Sequence, residues 1–195
     1  KITKVDDLFK GDYTIDPYQN CSFGCIYCDS TLDNTIYIKL NAIDLLKKEL
    51  RTLPPGRIII GSVHDPYQPV EQKYHLTHDI LEVLSHTKHS VHILTKSTQI
   101  LNDIALLQKI HDPIVTFTIL SLDEQVWKSI EPHTPPSKDR LQTMHFLSTH
   151  QITTGIAIIP TLPLLSEKHV EKLIKNAKKQ KAQYILHKPL FLQGE

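Results

Sequence analysis

The sequence has few cysteines and no excess of charge, and both shortages exclude classes of protein. Three cysteines occur in 195 residues, and an odd number in one short segment argues against a disulfide framework and for a reducing compartment. Lysine and arginine total 22 against 21 acidic residues, so net charge gives no indication of nucleic acid, membrane or acidic partners. We therefore expect a cytoplasmic protein.

Long apolar runs, repeats and low-complexity segments are also missing from the sequence. No run approaches the roughly 18–20 apolar residues that cross a bilayer, and the first residues lack a basic-then-apolar secretory pattern, so we expect no membrane partner. The pattern of the chain indicates a single domain over residues 1–195. Because the sequence starts at Lys1 without methionine, we expect this domain to be part of a longer protein.

Short β-rich runs alternate with segments of helical periodicity. The runs are continuously apolar, which is typical of a parallel sheet that is covered by the helices between its strands. Thr77 is predicted to cap one of these helices and Ser166 to cap the last one. The predicted strands are residues 13–17, 57–63, 90–97, 114–121, 153–160 and 183–189.

Six such units fit either a partial (β/α)6 barrel or a doubly wound sheet. Polar motifs follow several strands, and they would rim one cavity if the carboxyl ends of the strands converge, which favours the barrel. These residues are Ser62 and Asp65 in "GSVHDP", Lys96 in "TKS", Ser121, and His187 with Lys188 at the end of the sixth strand. Each hydroxyl or carboxylate could instead cap the next helix. Lys96 either extends to solvent or pairs with an anion, and its position after a mostly apolar run favours the anion.

All three cysteines lie within "CSFGCIYC", as Cys21, Cys25 and Cys28. A structural zinc ion would need a fourth ligand, for which His64 and His187 are candidates. A redox dithiol would use only the C-x2-C pair. A four-iron cluster held by three thiolates would use all three and leave one iron open for a small molecule, while a glycine within the loop lets the backbone wrap a cube.

The cysteine spacing resembles the signature of the radical S-adenosylmethionine (SAM) enzymes, with Tyr27 at the aromatic position before the last cysteine. In order along the chain, further stretches look like the subfamily related to spore photoproduct lyase, often labelled DNA-repair photolyase-like. These stretches are "GSVHDPYQPVEQKYHLT", "ILTKS", "LDEQVWKSIEPHTPPSKDRL" and "GIAIIPTLP". The resemblance spans roughly residues 13–163 and implies an α/β fold, a partial (β/α)6 TIM-like barrel of the radical SAM type.

The resemblance also implies roles for individual residues. The three cysteines would ligate a [4Fe–4S] cluster whose open iron binds SAM. Tyr27 would flank the adenine, with Ile158 and Pro160 lining the adenine side. The family carries a Gly-Gly-Glu-like stretch for the methionyl amino group. This sequence lacks that glutamate, so Ser62, with Asp65 nearby, would take its place.

Two further positions and the chemistry follow from the same resemblance. Lys96 would meet the SAM carboxylate and Ser121 the ribose. The implied activity is reductive cleavage of SAM to a 5′-deoxyadenosyl radical that abstracts hydrogen from a substrate, with flavodoxin or ferredoxin as electron donor. A DNA photolesion is one candidate substrate, although the balanced charge does not support DNA binding. The alternative is a non-catalytic iron–sulfur or zinc domain for electron transfer or structure.

Overall fold

The computed structural model describes residues 7–31, 33–163 and 167–190. These residues form eight strands and seven α-helices. The strands are β1 (Tyr13–Ile15), β2 (Tyr18–Gln19), β3 (Tyr37–Ile38), β4 (Arg57–Ile60), β5 (Ser90–Thr95), β6 (Ile114–Thr118), β7 (Thr153–Thr161) and β8 (Tyr184–Pro189). The helices are α1 (Ala42–Glu49), α2 (Glu71–Tyr74), α3 (Leu76–Ser85), α4 (Ile104–Leu107), α5 (Glu124–Ile130), α6 (Ser137–Thr149) and α7 (Glu167–Lys179). Short 3-10 turns cover Asp7–Phe9 and Gln99–Asp103.

The main sheet has six parallel strands in the order β1-β4-β5-β6-β7-β8. Each strand of this sheet pairs with the next one along the chain, so the order never reverses. A doubly wound sheet requires such a reversal, whereas a barrel is wound in one direction. The prediction of a partial TIM-like barrel is confirmed. Among the described residues β1 and β8 do not pair, so the barrel is open.

The core forms because the parallel strands are apolar on both faces. Ile58, Ile60, Val91, Ile93 and Val115 are fully buried, and they belong to one cluster with the apolar faces of the surrounding helices. Burial of each such side chain contributes about 1.5–3 kcal/mol, which offsets the ordering of the chain. This packed scaffold holds the carboxyl ends of the strands in fixed positions.

The amino-terminal end of the barrel interior is closed by a polar layer. His92 Nδ1 donates to the Phe9 carbonyl at 3.0 Å, and the Thr116 hydroxyl lies 2.6 Å from His92 Nε2 and 2.6 Å from the Tyr184 hydroxyl. Opposite Tyr184, a Cβ at position 155 would lie 2.4 Å from the tyrosine ring, so only Gly155 leaves room for it. The open end of the barrel is therefore the carboxyl end.

Three predicted strands end earlier than their apolar runs suggest. β4, β5 and β6 stop at Ile60, Thr95 and Thr118, not at residues 63, 97 and 121. After β4 the chain turns sharply at Gly61, where φ is +85° and a Cβ would lie 2.7 Å from the Leu94 carbonyl oxygen. Hydrophobicity marks burial, but the change of backbone direction ends the strand.

The prediction that Thr77 caps its helix is wrong. Thr77 lies inside α3, and its hydroxyl donates to the Pro66 carbonyl at 2.6 Å. The carboxylate of Glu71 instead accepts the backbone N–H groups of Thr77 and His78 at 3.0 and 3.1 Å. A buried carboxylate from the preceding helix therefore replaces the local cap. Ser166, the other predicted cap, lies outside the described residues.

The sequence patterns did not identify helix α5. Its start is capped by Asp123, whose carboxylate accepts the N–H groups of Gln125 and Val126. An aspartate at this position is a start signal that could have predicted the helix. In the described part of the chain, no helix is long and apolar enough to cross a membrane.

Candidate active site

A cavity of about 340 Å³ opens at the carboxyl end of the sheet. The loop after β1 and β2 forms one wall, and the segments that follow β4 and β5 and the ends of β7 and β8 form the others. Its lining includes Cys21, Cys25, Cys28, Tyr27, Ser62, Asp65, Lys96, Ile159, Pro160 and Lys188. Most of the residues that sequence spacing singled out therefore share one cavity.

The cysteine loop owes its shape to a glycine and to contacts with the end of α5. Gly24 has φ +62°, and a Cβ there would lie 3.1 Å from the His133 ring. The N–H of Ile26 donates to the Ile130 carbonyl at 3.0 Å, and the N–H of Cys28 donates to the Cys25 carbonyl at 3.1 Å. A larger residue at position 24 would be strained in backbone and crowded in space.

Gln68 holds the opposite side of the loop. Its side-chain oxygen accepts the N–H of Ser22 at 3.1 Å, and its side-chain nitrogen donates to the Asn20 carbonyl at 2.9 Å. Gln68 is fully buried, so this amide has no competing water. The loop is thus fixed from both sides by residues distant in sequence.

The geometry gives neither histidine that the sequence offered as a fourth zinc ligand a place beside the three cysteines. His64 Nε2 lies 3.0 Å from the Ser30 carbonyl, and His187 is exposed on β8. Over the described ranges, no three His, Cys, Asp or Glu side chains are close enough to hold one metal ion. The three cysteines face the same cavity instead, as thiolates do when each ligates a different iron of a cluster.

The thiols of the loop lie in a partly enclosed environment. Burial raises the pKa of Cys21 to about 12, with the nearby Asp65 carboxylate acting in the same direction. Burial also raises the pKa of Cys25, while the positive charge of Lys96 opposes this shift. Since metals bind thiolates, cluster binding would release protons from these sites.

Tyr27 connects the cysteine loop to a buried ion pair. Its hydroxyl donates to Glu131 Oε1, and Arg140 Nη2 lies 2.7 Å from Glu131 Oε2. Glu131 and Arg140 are both fully buried. Burial, together with the Glu131 charge, raises the pKa of Tyr27 well above its ordinary value, so the phenol keeps its proton.

Lys96 extends from the end of β5 into the cavity. Its ammonium lies 5.6 Å from the centroid of the Tyr27 ring. Burial alone would lower the pKa of Lys96. The nearby Cys25, Glu131 and Asp65 side chains have a larger opposite effect, so the pKa is raised above its ordinary value. Lys96 is therefore a cation at neutral pH and is available to an anionic group in the cavity.

Ser62 and Asp65 both line the cavity, but they differ in what they can offer a ligand. The Ser62 hydroxyl lies 2.7 Å from that of Thr14 and 3.2 Å from Asp16 Oδ2. The carboxylate of Asp65 already accepts three hydrogen bonds, from Thr95, Lys96 and the N–H of Tyr67. Asp65 thus shapes the site, whereas Ser62 can exchange a partner for a ligand.

Two predicted site residues do not line the cavity. Ser121 is fully buried, and its hydroxyl accepts the N–H of Asp123 at 3.0 Å. Ile158 is also buried in the core, while the next residue, Ile159, lines the cavity beside Pro160. Regular alternation would place Ile158 and Pro160 on one face, but the register of β7 against β8 shifts between Ile158 and Thr161, and at this irregularity Ile159 and Pro160 both line the cavity.

Glu131, Arg140 and Gln68 were missed by the sequence analysis. No local spacing marks them, because each acts on the loop through a contact over a long sequence separation. Lys188 lies near the end of β8 and lines the cavity with Ile159 and Pro160, as its place at the end of the sixth predicted strand indicates. Its neighbour His187 is not among the lining residues.

The chain belongs to the Radical SAM superfamily, whose profile matches residues 15–177. Proteins of this superfamily use a [4Fe–4S] cluster and SAM, and these are the cofactors of this chain. The three cysteines around one cavity fit such a cluster.

Two curated relatives and a group of solved structures are similar to the chain. An uncharacterized protein of Methanocaldococcus jannaschii is 30% identical over 177 residues, which cover 85% of this chain and 66% of that protein. An uncharacterized protein of Mycobacterium tuberculosis is 26% identical over 83% of this chain and 54% of its own length. The chain therefore spans less than two thirds of both relatives.

Among solved structures, spore photoproduct lyase has a similar fold. A variant of that enzyme with dinucleoside spore photoproduct matches with a TM-score of 0.70 at 19% identity, over 92% of this chain and 54% of the lyase chain. A second variant, with bound AdoMet and the same dinucleoside, matches with a TM-score of 0.69 at 17% identity. At these identities the similarity concerns the fold.

Proposed function

We propose that this chain is a radical SAM enzyme in which a [4Fe–4S] cluster held by Cys21, Cys25 and Cys28 cleaves SAM reductively, giving a 5′-deoxyadenosyl radical that abstracts hydrogen from a substrate. The observation that carries this proposal is the convergence of all three cysteines on one cavity at the carboxyl end of the barrel, opposite a lysine cation. We also propose that residues 1–195 form a single core domain.

The cavity residues divide by the chemistry that they offer. Lys96 presents a positive charge that suits the SAM carboxylate, and Ser62 presents a hydroxyl for its amino group. Tyr27, Ile159 and Pro160 provide apolar surface for the adenine. Such a mixed lining binds a ligand with a charged end and an aromatic end, while the enclosing walls exclude water from the reaction.

Ser121 and Ile158 have less support as ligand-binding residues than the others. Ser121 is fully buried and outside the cavity lining, so it would contact the ribose only if the side chains that cover it moved apart. For Ile158, its neighbour Ile159 is the better candidate for the adenine side. The predicted contacts of Ser121 with the ribose and of Ile158 with the adenine can be tested by substitution of each residue to alanine.

An external one-electron donor such as flavodoxin or ferredoxin is part of the proposal, because the cluster must be reduced before it can act. The substrate is not identified. A DNA photolesion remains a candidate through the fold shared with spore photoproduct lyase. The chain has 22 basic and 21 acidic residues, and this balance does not favour DNA binding electrostatically.

Anaerobic reconstitution with iron and sulfide, followed by EPR spectroscopy of the reduced protein, tests the proposal. We expect about four irons per chain, as a [4Fe–4S] cluster requires, and a signal that changes when SAM is added. Dithionite and SAM should then yield 5′-deoxyadenosine. A dithionite-reduced sample without protein controls for spontaneous breakdown of SAM.

The non-catalytic alternative predicts a different result in the same experiment. A cluster whose EPR signal is unaffected by SAM would indicate electron transfer, and stoichiometric zinc would indicate a structural site. Either result, with no 5′-deoxyadenosine, would refute the proposed enzyme.

A further inference from the structure

A line of buried polar contacts runs behind the cysteine loop, from Arg140 through Glu131 and Tyr27 to Lys96. The stretch "EPHTPPSKDR" supplies its first two members, and the proposed function assigns them no role. Buried charges require hydrogen-bonded partners or they destabilise the fold. The contacts of each member indicate what the line does.

Arg140 fixes one end of the line to the sheet. Its guanidinium donates to the Thr118 carbonyl at the end of β6 at 2.8 Å, to the Pro135 carbonyl at 2.8 Å and to the Thr134 hydroxyl at 2.6 Å. The remaining contact is the ion pair with Glu131 at 2.7 Å. The three hydrogen bonds fix the orientation of the guanidinium, and its charge attracts the Glu131 carboxylate beside it.

Glu131 passes this constraint to the cysteine loop. The other oxygen of its carboxylate accepts the hydroxyl of Tyr27, which is 104 residues away in the sequence. The adjacent backbone is tied at the same place, because the N–H of Ile26 donates to the Ile130 carbonyl. The Tyr27 ring is thus fixed at its hydroxyl and at its backbone.

The Tyr27 ring in turn contacts the ammonium of Lys96, which lies 5.6 Å from the ring centroid. An ammonium over an aromatic face is attracted by about 0.5–1 kcal/mol when exposed and more when desolvated. Among the described residues, no carboxylate forms an ion pair with Lys96. The aromatic ring is therefore a direct contact of this cation, while Glu131 and Asp65 attract it from beyond ion-pair distance.

We propose that Glu131 is a positioning residue for SAM, which acts by holding the Tyr27 ring so that Lys96 presents its ammonium to the SAM carboxylate. The inference rests on the proposed function and extends it to residues that do not line the cavity. It assigns the buried Glu131–Arg140 pair to ligand orientation as well as to packing.

A double-mutant cycle on the reconstituted protein tests the proposal, with the dissociation constant of SAM measured by EPR titration. Tyr27→Phe removes only the hydroxyl, which Glu131 holds and which also contacts the Cys25 side chain, and we expect it to weaken SAM binding about fivefold, within the range of one net hydrogen bond. Iron content should be unchanged. Tyr13→Phe is the matched control, since its hydroxyl donates to the Pro54 carbonyl and neither residue lines the cavity, so its loss should leave the SAM affinity unchanged.

The second half of the cycle repeats Tyr27→Phe in a Lys96→Ala background. If Glu131 and Tyr27 act through Lys96, the Tyr27→Phe substitution has no ammonium to displace in the Lys96→Ala background. The SAM affinity should then change by less than about twofold. A fivefold loss in both backgrounds would overturn the proposal, because the hydroxyl would then act on SAM independently of Lys96. So would a Tyr27→Phe variant that melts at a lower temperature but binds SAM like the parent.

Substitution of the carboxylate itself completes the test. Glu131→Gln keeps an oxygen that can accept the Tyr27 hydroxyl, so a folded variant should bind SAM within about twofold of the parent; a larger loss than that of Tyr27→Phe would contradict the assignment. If this variant does not fold because Arg140 loses its charge partner, the cycle alone decides. A parent protein that binds no SAM would refute the proposed function. A parent that binds SAM, with variants that fail the cycle, would refute only the positioning role of Glu131.

Discussion

Asp65 accepts the backbone N–H of Lys96 at 2.6 Å and thereby joins the loop after β4 to the end of β5. The Thr95 hydroxyl and the N–H of Tyr67 complete its set of donors at 2.7 and 2.9 Å. Burial raises the pKa of Asp65, and the donors from Lys96 and Thr95 oppose that shift. The carboxylate therefore sets the point at which the Lys96 side chain leaves the strand.

Asp65→Asn should lower both the stability of the fold and its affinity for SAM. An amide offers one acceptor and one donor, so one of the three N–H or O–H groups would meet a donor. The cost of such an unsatisfied buried group is about 1–3 kcal/mol, measurable as the free energy of unfolding in urea. Asp44→Asn, an exposed acid in the first turn of α1, is the control. Equal stability of the two variants would show that Asp65 is not a structural anchor.

Lys96→Ala should weaken SAM binding about tenfold, as expected for loss of one charge-assisted contact, without reducing the iron content. Lys73→Ala is a matched control, because the Lys73 ammonium also lies over a tyrosine ring, that of Tyr74 at 5.2 Å, but outside the cavity. Equilibrium dialysis of the two reconstituted variants gives the comparison. Unchanged affinity in Lys96→Ala would remove this lysine from the SAM site.

Cys25→Ala should abolish the [4Fe–4S] cluster, because three thiolates are the only protein ligands that the site offers to it among the described residues. Iron and sulfide assays after reconstitution measure the loss. Ile26→Ala changes the next residue of the same loop, whose side chain is 70% exposed, and should retain the full iron content. A Cys25→Ala variant with the iron content of the parent would overturn the ligand assignment.

His92 should make the protein sensitive to acid. Burial lowers its pKa to about 4, although the hydrogen bond to the Phe9 carbonyl opposes this shift. In the unfolded chain an ordinary histidine titrates near 6.5, so the folded state binds its proton less readily. The stability that depends on neutral His92 is complete above pH 6.5 and is lost as the pH falls from there towards 4, by about 3 kcal/mol in total.

A comparison of urea unfolding at pH 7 and pH 4.5 tests this assignment in the parent and in His92→Gln. Other groups titrate in both proteins, so the difference between their pH dependences isolates His92. We expect the glutamine variant to be less stable at pH 7 and to lose less stability on acidification. Parallel pH profiles would mean that His92 is not the buried neutral base that the geometry describes.

Local patterns in the sequence were sufficient to predict the barrel and the cysteine site. Continuous apolar runs identified the buried strands, and the grouping of Cys21, Cys25 and Cys28 argued against a disulfide framework, while the resemblance to the radical SAM enzymes indicated a cluster. The position of Lys96 directly after a buried strand favoured a place in the cavity, and Lys96 does line it. Each of these signals depends on residues that are close together in the chain.

The remaining features depend on contacts between distant segments, which no single stretch records. Nothing local to Glu71 predicts that it caps α3 and takes the place of Thr77. In the same way, Glu131 and Gln68 have ordinary neighbours in the sequence, and their roles appear only when the sheet places them beside the cysteine loop. For Ser121 the local signal was misleading. This polar residue follows a strand, but its hydroxyl accepts the N–H of Asp123 in the adjacent turn and does not line the cavity.

The anchoring of the cysteine loop also has a consequence for how the protein matures. During synthesis the three cysteines emerge well before Gln68 and Glu131, the residues that shape their loop from 46 and 104 positions away. Until the strands between them have assembled, the thiols are present but the contacts of Gln68 and Glu131 that hold their loop in shape are not. Under the proposed ligand assignment we expect cluster insertion to be a late step that acts on a folded acceptor, and a nascent chain cut before residue 131 should carry the three proposed ligands yet lack the scaffold to receive the iron.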